Sequence, residues 1–244
     1  MTRTVVDQAP AEPEQTAGNL LLGRMQPGDR ALIEPYLEPV TLELGASLAR
    51  AGQPTETVCF LEGALAGFLD VLPDGRRLAV GVIGREGFVG WPVLMGNDRW
   101  PYDVEVRAGT TTALRLPVDR LRAAVDRSPA LRDLLLRFAG TFMSQMGRTI
   151  VSNLIHPVEG RAARWILLYH DRVGGDEILM THEELGAMLG VRRASITTAL
   201  HALEGNGAIR GLRGRIVVRD RARLEAMASE TYGFPEAEYR RLIG

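Results

Sequence analysis

The pattern of apolar and polar residues divides this chain into regions with different periodicity. Between residues 40 and 116, short alternating runs are separated by Gly- or Pro-containing turns, such as Pro73-Asp74-Gly75. Turn signals at intervals of about 8–12 residues are typical of an antiparallel sandwich or barrel. The predicted strands are Val40–Leu44, Val58–Leu61, Ala66–Val71, Leu78–Ile83, Val104–Arg107 and Thr111–Leu116.

A helical period replaces the alternation at Ser128-Pro129, an N-cap followed by proline at the first helical position. Apolar residues then recur at three- and four-residue steps as far as Ile155, which predicts a helix of roughly 28 residues, or ~42 Å. His156-Pro157 ends it, since the residue before proline avoids the α region. The helix either packs on the sandwich or forms a dimer seam, and we favour the seam. Its predicted contact residues are Leu131, Leu135, Phe138, Phe142, Met146 and Ile150.

The C-terminal third contains a pattern typical of a helix-turn-helix. Thr181-His182-Glu183-Glu184 forms a capping box before a short helix that Gly190 ends. A second helix begins near Arg193 and continues to Gly205-Asn206-Gly207. We expect Gly186 to face the partner helix and Ile196 to be buried between the two helices.

An arginine-rich hairpin is predicted directly after the second helix, over residues 209–218. In this position a hairpin forms a wing whose arginines contact phosphates or the minor groove. Residues 192–223 contain eight Arg against Glu204 and Asp220, a net charge of +6. Such a local block on a chain of net charge −1 indicates a surface for nucleic acid.

The chemistry of base reading assigns roles to these residues. Arg193 can donate two hydrogen bonds to the O6 and N7 atoms of guanine, whereas Arg192 and Ser195 suit phosphate oxygens. Thr197 and Thr198 suit a phosphate or a thymine methyl group. The complete predicted DNA-binding set is Thr181, His182, Arg192, Arg193, Ser195, Thr197, Thr198, Arg213 and Arg215.

Composition excludes several classes of protein. The 244 residues are 45% hydrophobic and 24% charged, an ordinary globular balance. A single cysteine, Cys59, cannot form an internal disulfide or a four-thiolate metal site. No histidine precedes His156, and no apolar run approaches the ~20 residues of a membrane span. We therefore expect a cytoplasmic protein without a catalytic site, a metal or a cofactor.

The order of elements resembles the Crp–Fnr family of bacterial transcription regulators over about residues 20 to 225. The resemblance rests on Thr181–Leu203, on Arg213–Val218 and on the run Gly84-Arg85-Glu86-Gly87-Phe88-Val89-Gly90. It implies an α+β fold with a jelly-roll sensor, a dimerisation helix and a winged helix-turn-helix, and places Arg193 where the family reads guanine. The expected divisions are a tail (1–18), the sensor (19–127), the helix (128–156), the DNA-binding domain (157–225) and a C-terminal tail (226–244), either a docking helix or disordered.

The sensor departs from the family's cyclic-nucleotide binders. They follow the last glycine of this run with Glu and later carry Arg-Ser/Thr-Ala, whose Arg neutralises the phosphate. Here Trp91-Pro92 follows Gly90, Asp103 lies near the later position, and Arg99 is out of register. The resemblance therefore does not extend to cyclic AMP, and the effector is unknown. A candidate apolar pocket, or equally a filled core, comprises Phe88, Gly90, Trp91, Val93, Trp100 and Tyr102.

These observations favour a dimeric, sequence-specific DNA-binding regulator. The expected partners are double-stranded DNA, a second copy of the chain, RNA polymerase and an unidentified small-molecule effector, with no membrane. One alternative is a ligand-binding protein that acts on a protein partner and retains a vestigial winged domain. A jelly-roll metalloenzyme is a weaker alternative, because the sensor half has no histidine.

Overall fold

The computed structural model describes residues 18–108 and 111–244. The predicted tail before Gly18 and residues 109 and 110 lie outside the described residues. The N-terminal part begins with helices α1 and α2 and a 3-10 turn at Glu34–Tyr36, and then forms eight strands within the described residues. Their bounds are α1 Leu20–Gly23, α2 Pro27–Ile33, β1 Glu38–Leu42, β2 Ser47–Ala49, β3 Thr57–Leu61, β4 Leu65–Val71, β5 Arg77–Ile83, β6 Phe88–Val89, β7 Asp103–Ala108 and β8 Thr111–Pro117.

These strands form two antiparallel four-stranded sheets, which confirms the antiparallel arrangement predicted for this region. The strand orders are β1-β8-β3-β6 and β2-β7-β4-β5. The short strands β2 and β6 were not predicted, because two or three residues are too few to show an alternation. In the second sheet β5 is an edge strand, and the side chain of Gln145 pairs with both the N–H and the C=O of Val82 there.

Two helices connect the sensor to the rest of the chain. Helix α3 spans Val118–Arg127 and was not predicted. Helix α4 spans Pro129–Ile155, as the periodicity predicted. The hydroxyl of Ser128 accepts a hydrogen bond from the N–H of Leu131 at 3.1 Å, which caps the first turn. The helix ends at His156, whose extended backbone is the conformation required before Pro157.

The faces of α4 correct the predicted dimer seam. Leu131, Leu135, Phe138 and Phe142 are at most 2% exposed within a single protomer, because they pack into the sensor's core. Met146 is half-buried against the same cluster. Of the six predicted contact residues only Ile150, at 61%, is exposed in the single chain. The periodicity located an apolar stripe correctly, but most of that stripe faces the sensor.

The C-terminal part is a winged helix-turn-helix followed by further helices. Helix α8 crosses the expected boundary at residue 225, and the chain after it folds into a 3-10 turn and a last helix. The bounds are α5 Val158–His170, β9 Glu177–Leu179, α6 His182–Leu189, α7 Arg193–Gly205, β10 Ile209–Leu212, β11 Arg215–Val218, α8 Arg221–Ala228, the turn Ser229–Thr231 and α9 Phe234–Leu242. The wing forms an antiparallel sheet with the order β10-β11-β9.

Two apolar clusters hold the molecule together. The first fills the space between the two sheets, α3 and α4, and it includes Ile243 from the end of the chain. The second is the core of the winged domain, and it extends to Leu65, Leu69, Ala79 and Val82 of the sensor. The winged domain is thus packed directly against the sensor sheet. Among the described helices, none combines the length and the apolar character needed to span a bilayer.

Candidate nucleic-acid interface

The first helix of the helix-turn-helix begins and ends as its sequence predicted. The hydroxyl of Thr181 accepts a hydrogen bond from the N–H of Glu184 at 3.1 Å, and the Glu184 carboxylate accepts one from the N–H of Thr181 at 2.7 Å. Gly190 ends α6 with φ +65°, a left-handed conformation that glycine adopts without a steric cost. The turn that orients the second helix is therefore determined locally.

Close packing sets the angle between α6 and α7. A methyl group added at Gly186 would lie 3.3 Å from the carbonyl oxygen of Val191 and 3.4 Å from a side-chain carbon of Ile196. Ile196 itself is completely buried. A glycine on one helix thus allows the apolar side chain of the other to approach, and this confirms both packing roles that the sequence predicted.

The N-terminus of α7, unlike that of α6, lacks the features that usually stabilise the start of a helix. Its N-cap is Arg192, with no side-chain cap, and the first turn contains no acidic residue. Arg192 and Arg193 are both exposed at the positive end of the helix dipole, where cations are unfavourable and anions are stabilised. The first N–H groups of a helix lack intrahelical acceptors. This end therefore presents two guanidinium groups to an anion outside the chain, although the N–H of Ser195 already donates to the carbonyl of Arg192 at 2.9 Å.

The other predicted residues of α7 differ in their availability. Ser195 and Thr198 are exposed, and the Thr198 hydroxyl donates to the carbonyl of Ala194 at 3.2 Å. Thr197 is half-buried. Its hydroxyl donates to the carbonyl of Arg193 and hydrogen-bonds Nδ1 of His182 at 3.2 Å. Thr197 and His182 consequently fix α7 against α6, and Ser195 and Thr198 are the freer of the polar side chains.

The wing places its two predicted arginines differently. Arg213 lies exposed at the tip, beside Gly214. Arg215 forms an ion pair with Glu177 of β9 at 2.9 Å, with both side chains about half exposed. An exposed pair of this kind contributes little to stability, and a phosphate can compete for the arginine. Arg213 is therefore the more available of the two cations.

The net charge of residues 192–223 overstates the cationic surface. Arg221 binds Asp171 and Glu225, and Arg223 pairs with Asp220 and donates to the carbonyl of Asn206. These contacts within the domain make Arg221 and Arg223 less available to a ligand than Arg213. Composition cannot distinguish the two uses, since both depend on tertiary neighbours.

Two exposed residues near this surface were not among the predictions. His201 is exposed on α7, one turn beyond Thr197 and Thr198, and Arg210 is exposed on β10. Continuing the three- and four-residue steps from Thr197 and Thr198 would have found His201. Arg210 was counted in the basic block but given no role.

The predicted effector pocket is packed. Phe88, Trp91, Val93 and Trp100 are all at most 8% exposed and belong to the sensor's apolar cluster. Trp91 contacts Phe142 of α4, with 5.9 Å between ring centroids. Gly90 is buried and Tyr102 is half-buried against this cluster. The six residues share the interior of the sensor, where the filled-core alternative describes them better than an open pocket.

The sensor's charged groups near this region are already paired. Asp103 accepts hydrogen bonds from Arg50 and from the Ala51 amide, both at 2.9 Å, and Arg77 lies 3.3 Å away. Burial opposes ionisation, but the Ala51 amide and Arg50 outweigh it and hold the pKa of Asp103 below its usual value. Arg99 is exposed and donates to the carbonyl of Gly52. Neither residue provides a buried cation for a phosphate.

A cavity of about 670 Å³ lies elsewhere, at the junction of the sensor, α4, the winged domain and the end of the chain. Its lining carries four arginines (Arg85, Arg172, Arg221, Arg240) and four carboxylates (Glu62, Glu86, Asp171, Glu236). Two pairs are in direct contact: Arg172 with Glu86 at 2.8 Å, and Arg221 with Asp171 at 2.7 Å. The lining is therefore balanced in charge, and part of it joins the two domains.

A sensor sandwich joined by a long helix to an arginine-tipped winged helix-turn-helix defines a transcription regulator with two domains. Two family models agree with this division. The Crp-like helix-turn-helix domain matches residues 160–227, and the cyclic nucleotide-binding domain matches residues 39–128. The chain belongs to the Crp–Fnr family of transcription regulators.

Several relatives share this organisation. The CRP-like cAMP-activated global transcriptional regulator of Mycobacterium tuberculosis is 23% identical over 218 residues, which cover 84% of this chain and 94% of the relative. FixK2 of Bradyrhizobium japonicum gives a TM-score of 0.68 at 17% identity, covering 79% of this chain and 98% of its own. The c-di-GMP responsive global regulator CLP of Xanthomonas campestris gives 0.65 at 16% identity, with coverages of 79% and 99%. The two structural likenesses establish the fold alone.

Proposed function

We propose that this protein is a dimeric, sequence-specific DNA-binding regulator that reads the major groove with α7. The observation that carries the proposal is the uncapped N-terminus of α7, where Arg192 and Arg193 are both exposed. This helix end has no side-chain cap, and it carries two cations at the positive end of the helix dipole. Such an arrangement is unfavourable in the isolated protein. Phosphates and guanine edges supply the missing acceptors when this end enters a groove.

Dimerisation is supported by the face of α4 that points away from the sensor. Met143, Ile150 and Leu154 are 49%, 61% and 80% exposed. Gly140 and Gly147 lie among them, and within the described part of the chain nothing would contact a methyl group at either position. Glycine in a helix interior costs about 0.5–1 kcal/mol relative to alanine, and close approach of a second helix is a reason to retain it. The occupant that we propose is α4 of a second copy.

A DNA selection experiment tests the function. Duplexes enriched from a random pool by the wild-type protein should contain two half-sites about one helical turn apart, because a two-fold dimer presents two copies of α7. Arg193→Ala should weaken binding to the enriched duplex by roughly tenfold or more and relax the choice of base at one position in each half-site. Arg122→Ala, at an exposed arginine of α3, is the matched control and should bind like the wild type.

The dependence of binding on salt gives an independent measure. Arginines that neutralise phosphates release counterions, so the affinity should fall steeply as salt rises. Anisotropy titrations at several salt concentrations would show a lower slope for Arg213→Ala than for the wild type. A wild-type affinity that does not change with salt, or an Arg193→Ala variant with unaltered selectivity, would contradict the proposal.

We further propose that the sensor does not bind cyclic AMP in the manner usual for its fold class. The support is the aromatic packing around Trp91 and Phe142 and the engagement of Asp103 by Arg50. The relative from Mycobacterium tuberculosis is described as cAMP-activated. Calorimetric titration with cyclic AMP should therefore give no saturable heat here, and a stoichiometric binding isotherm would overturn this part of the proposal.

A further inference from the structure

The end of the chain, residues 229–243, lies beyond both matched family models, the later of which ends at residue 227. It comprises the 3-10 turn Ser229–Thr231, helix α9 and Ile243. We call it the C-terminal segment. It does not extend the DNA-binding domain outwards but returns across α4 to the sensor.

The C-terminal segment is attached to both α4 and the sensor. The ring of Phe234 lies 4.5 Å from the guanidinium carbon of Arg148, and Ser144 donates a hydrogen bond to Glu238. At the sensor, the hydroxyl of Tyr239 donates to the carbonyl of Glu86 at 2.8 Å. Ile243, only 6% exposed, is inserted into the sensor's apolar cluster. The helix is therefore held along its length.

At its origin the segment is joined to α4 and α5 by a buried arginine. Arg164 of α5 is 1% exposed and donates to Thr231 O at 3.0 Å, Thr149 Oγ1 at 3.1 Å and Gln145 O at 3.0 Å. All three acceptors are neutral, and burial lowers the pKa of Arg164 to about 10. Because a buried guanidinium needs its acceptors in place, this joint fixes the three segments relative to one another.

Gln145, whose carbonyl binds Arg164, also connects α4 to the sensor sheet through its side chain. The Gln145 side chain accepts from the N–H of Val82 at 2.8 Å and donates to its carbonyl at 3.1 Å. Close by, Arg172 at the end of α5 binds Glu86 of the sensor at 2.8 Å. Through these contacts the C-terminal segment, α4 and the edge of the sensor sheet together set the position of the DNA-binding domain.

In this position the turn of the helix-turn-helix rests on strand β5. A methyl group at Gly190 would lie 2.7 Å from Leu78 Cδ2, and Gly190 precedes Arg192 by two residues. A major groove is ~12 Å wide and ~8.5 Å deep, so its walls must pass on both sides of the helix N-terminus that enters it. The contact with Leu78 places strand β5 directly beside the turn that precedes the recognition helix.

We propose that the C-terminal segment is an intramolecular clamp that holds the helix-turn-helix against β5, in an arrangement that keeps its recognition helix out of DNA. The clamp rests on the proposed DNA-binding function and adds a regulation to it. Releasing the segment removes its contacts with Arg148, Ser144, Glu86 and the sensor core. Fewer contacts, among them the Arg172–Glu86 ion pair and the shared apolar cluster, then hold the domain against β5. The apparent DNA affinity then rises with the fraction of chains that are open.

The test compares the full chain with a variant that ends at Gly233, which retains the Arg164–Thr231 contact. Amide exchange of residues 78–82 and 185–190 should become faster in the shortened chain, because these residues form the contact between β5 and α6. Affinity for a labelled random-sequence duplex at low salt should increase about tenfold. Ile243→Ala, which loosens the segment without removing it, should change both quantities in the same direction by less.

Ala237→Ser, on the exposed side of α9, is the matched control and should leave both measurements unchanged. Unaltered exchange in a folded shortened chain would overturn the clamp. Faster exchange without tighter DNA binding would overturn its role in excluding DNA. If Arg193→Ala fails to weaken DNA binding in the shortened chain, the proposed function fails instead, since the exchange measurement does not depend on DNA.

Discussion

The two faces of α4 look alike in the sequence but have different surroundings in the fold. One face carries Leu131, Leu135, Phe138 and Phe142, all buried against the sensor. The other carries Met143, Ile150 and Leu154, exposed beside two glycines. Both consist of apolar residues at helical spacing. A periodicity therefore identifies an apolar stripe, whereas the nature of its partner, the same chain or another copy, depends on where the helix lies.

The largest expected effect is on the buried face. Phe138→Ala should lower the free energy of unfolding by about 3–5 kcal/mol, because a phenyl ring is removed from a packed interior that cannot fully close around the space. Chemical denaturation at fixed protein concentration measures this loss. Arg137→Ala, at the exposed neighbouring position, should change the stability by less than about 0.5 kcal/mol. Equal effects of the two substitutions would contradict the assignment of the buried face.

The exposed face should affect assembly instead. Leu154→Asp should weaken the dimer by about 2 kcal/mol or more, since a charge would replace an apolar side chain on the face that we propose to be buried between two copies of α4. Unfolding of the separated protomer should not change, because Leu154 is 80% exposed within it. Sedimentation over a range of concentrations gives the dimer constant. Ala130→Asp, an exposed position in the first turn of α4, is the control, and a dimer that tolerates Leu154→Asp would remove this face from the interface.

The pKa of the Cys59 thiol reports how well water is excluded from the buried interior of the sensor. Burial raises the pKa of its thiol from 9.0 to about 11, partly offset by the charge of Arg115. The unfolded chain therefore ionises first as the pH rises past 9, which favours unfolding, and stability is lost up to the folded-state pKa. By pH 10 the wild type should lose about 1 kcal/mol more than Cys59→Ala does, relative to each protein at pH 7. Parallel pH profiles of unfolding would show that water reaches this thiol.

The smallest expected effect, at Gly147, distinguishes the helix propensity of this position from contact between two copies of α4. Gly147→Ala should stabilise the separated protomer by about 0.5–1 kcal/mol, because alanine favours the helix and nothing in the described chain obstructs it. The same methyl group should weaken the dimer if two copies of α4 approach closely there. Unfolding at low concentration and the dimer constant should thus move in opposite directions, and a tighter dimer would disprove the close approach.

The local elements were largely predictable from the sequence. The capping box at Thr181, the left-handed Gly190 and the ends of α4 all follow from residues within one turn of the feature, so short-range chemistry determines them. The short strands β2 and β6 and helix α3 were missed. The first two are too short to show a period, and α3 begins at Val118 without a side-chain cap.

The predictions for the sites were partly revised by long-range contacts. The ion pair of Arg215 with Glu177 joins residues 38 positions apart, and the pairing of Arg221 with Asp171 joins residues 50 apart. No local pattern could have shown that these arginines already have carboxylate partners. The packing of Trp91 on Phe142 likewise depends on the path of α4, and it filled the space in which an effector pocket was considered.

By itself, the sequence determined the two-domain order, the helix-turn-helix and the arginines at the tip of its second helix, because caps, glycine turns and periodicity act over a few residues. Only the tertiary structure decided which side of α4 is free, which cations are already neutralised, and that the last residues return to hold the two domains together. Those outcomes depend on contacts between distant segments. Such contacts exist only once the chain has brought β5, α4 and α9 to one place.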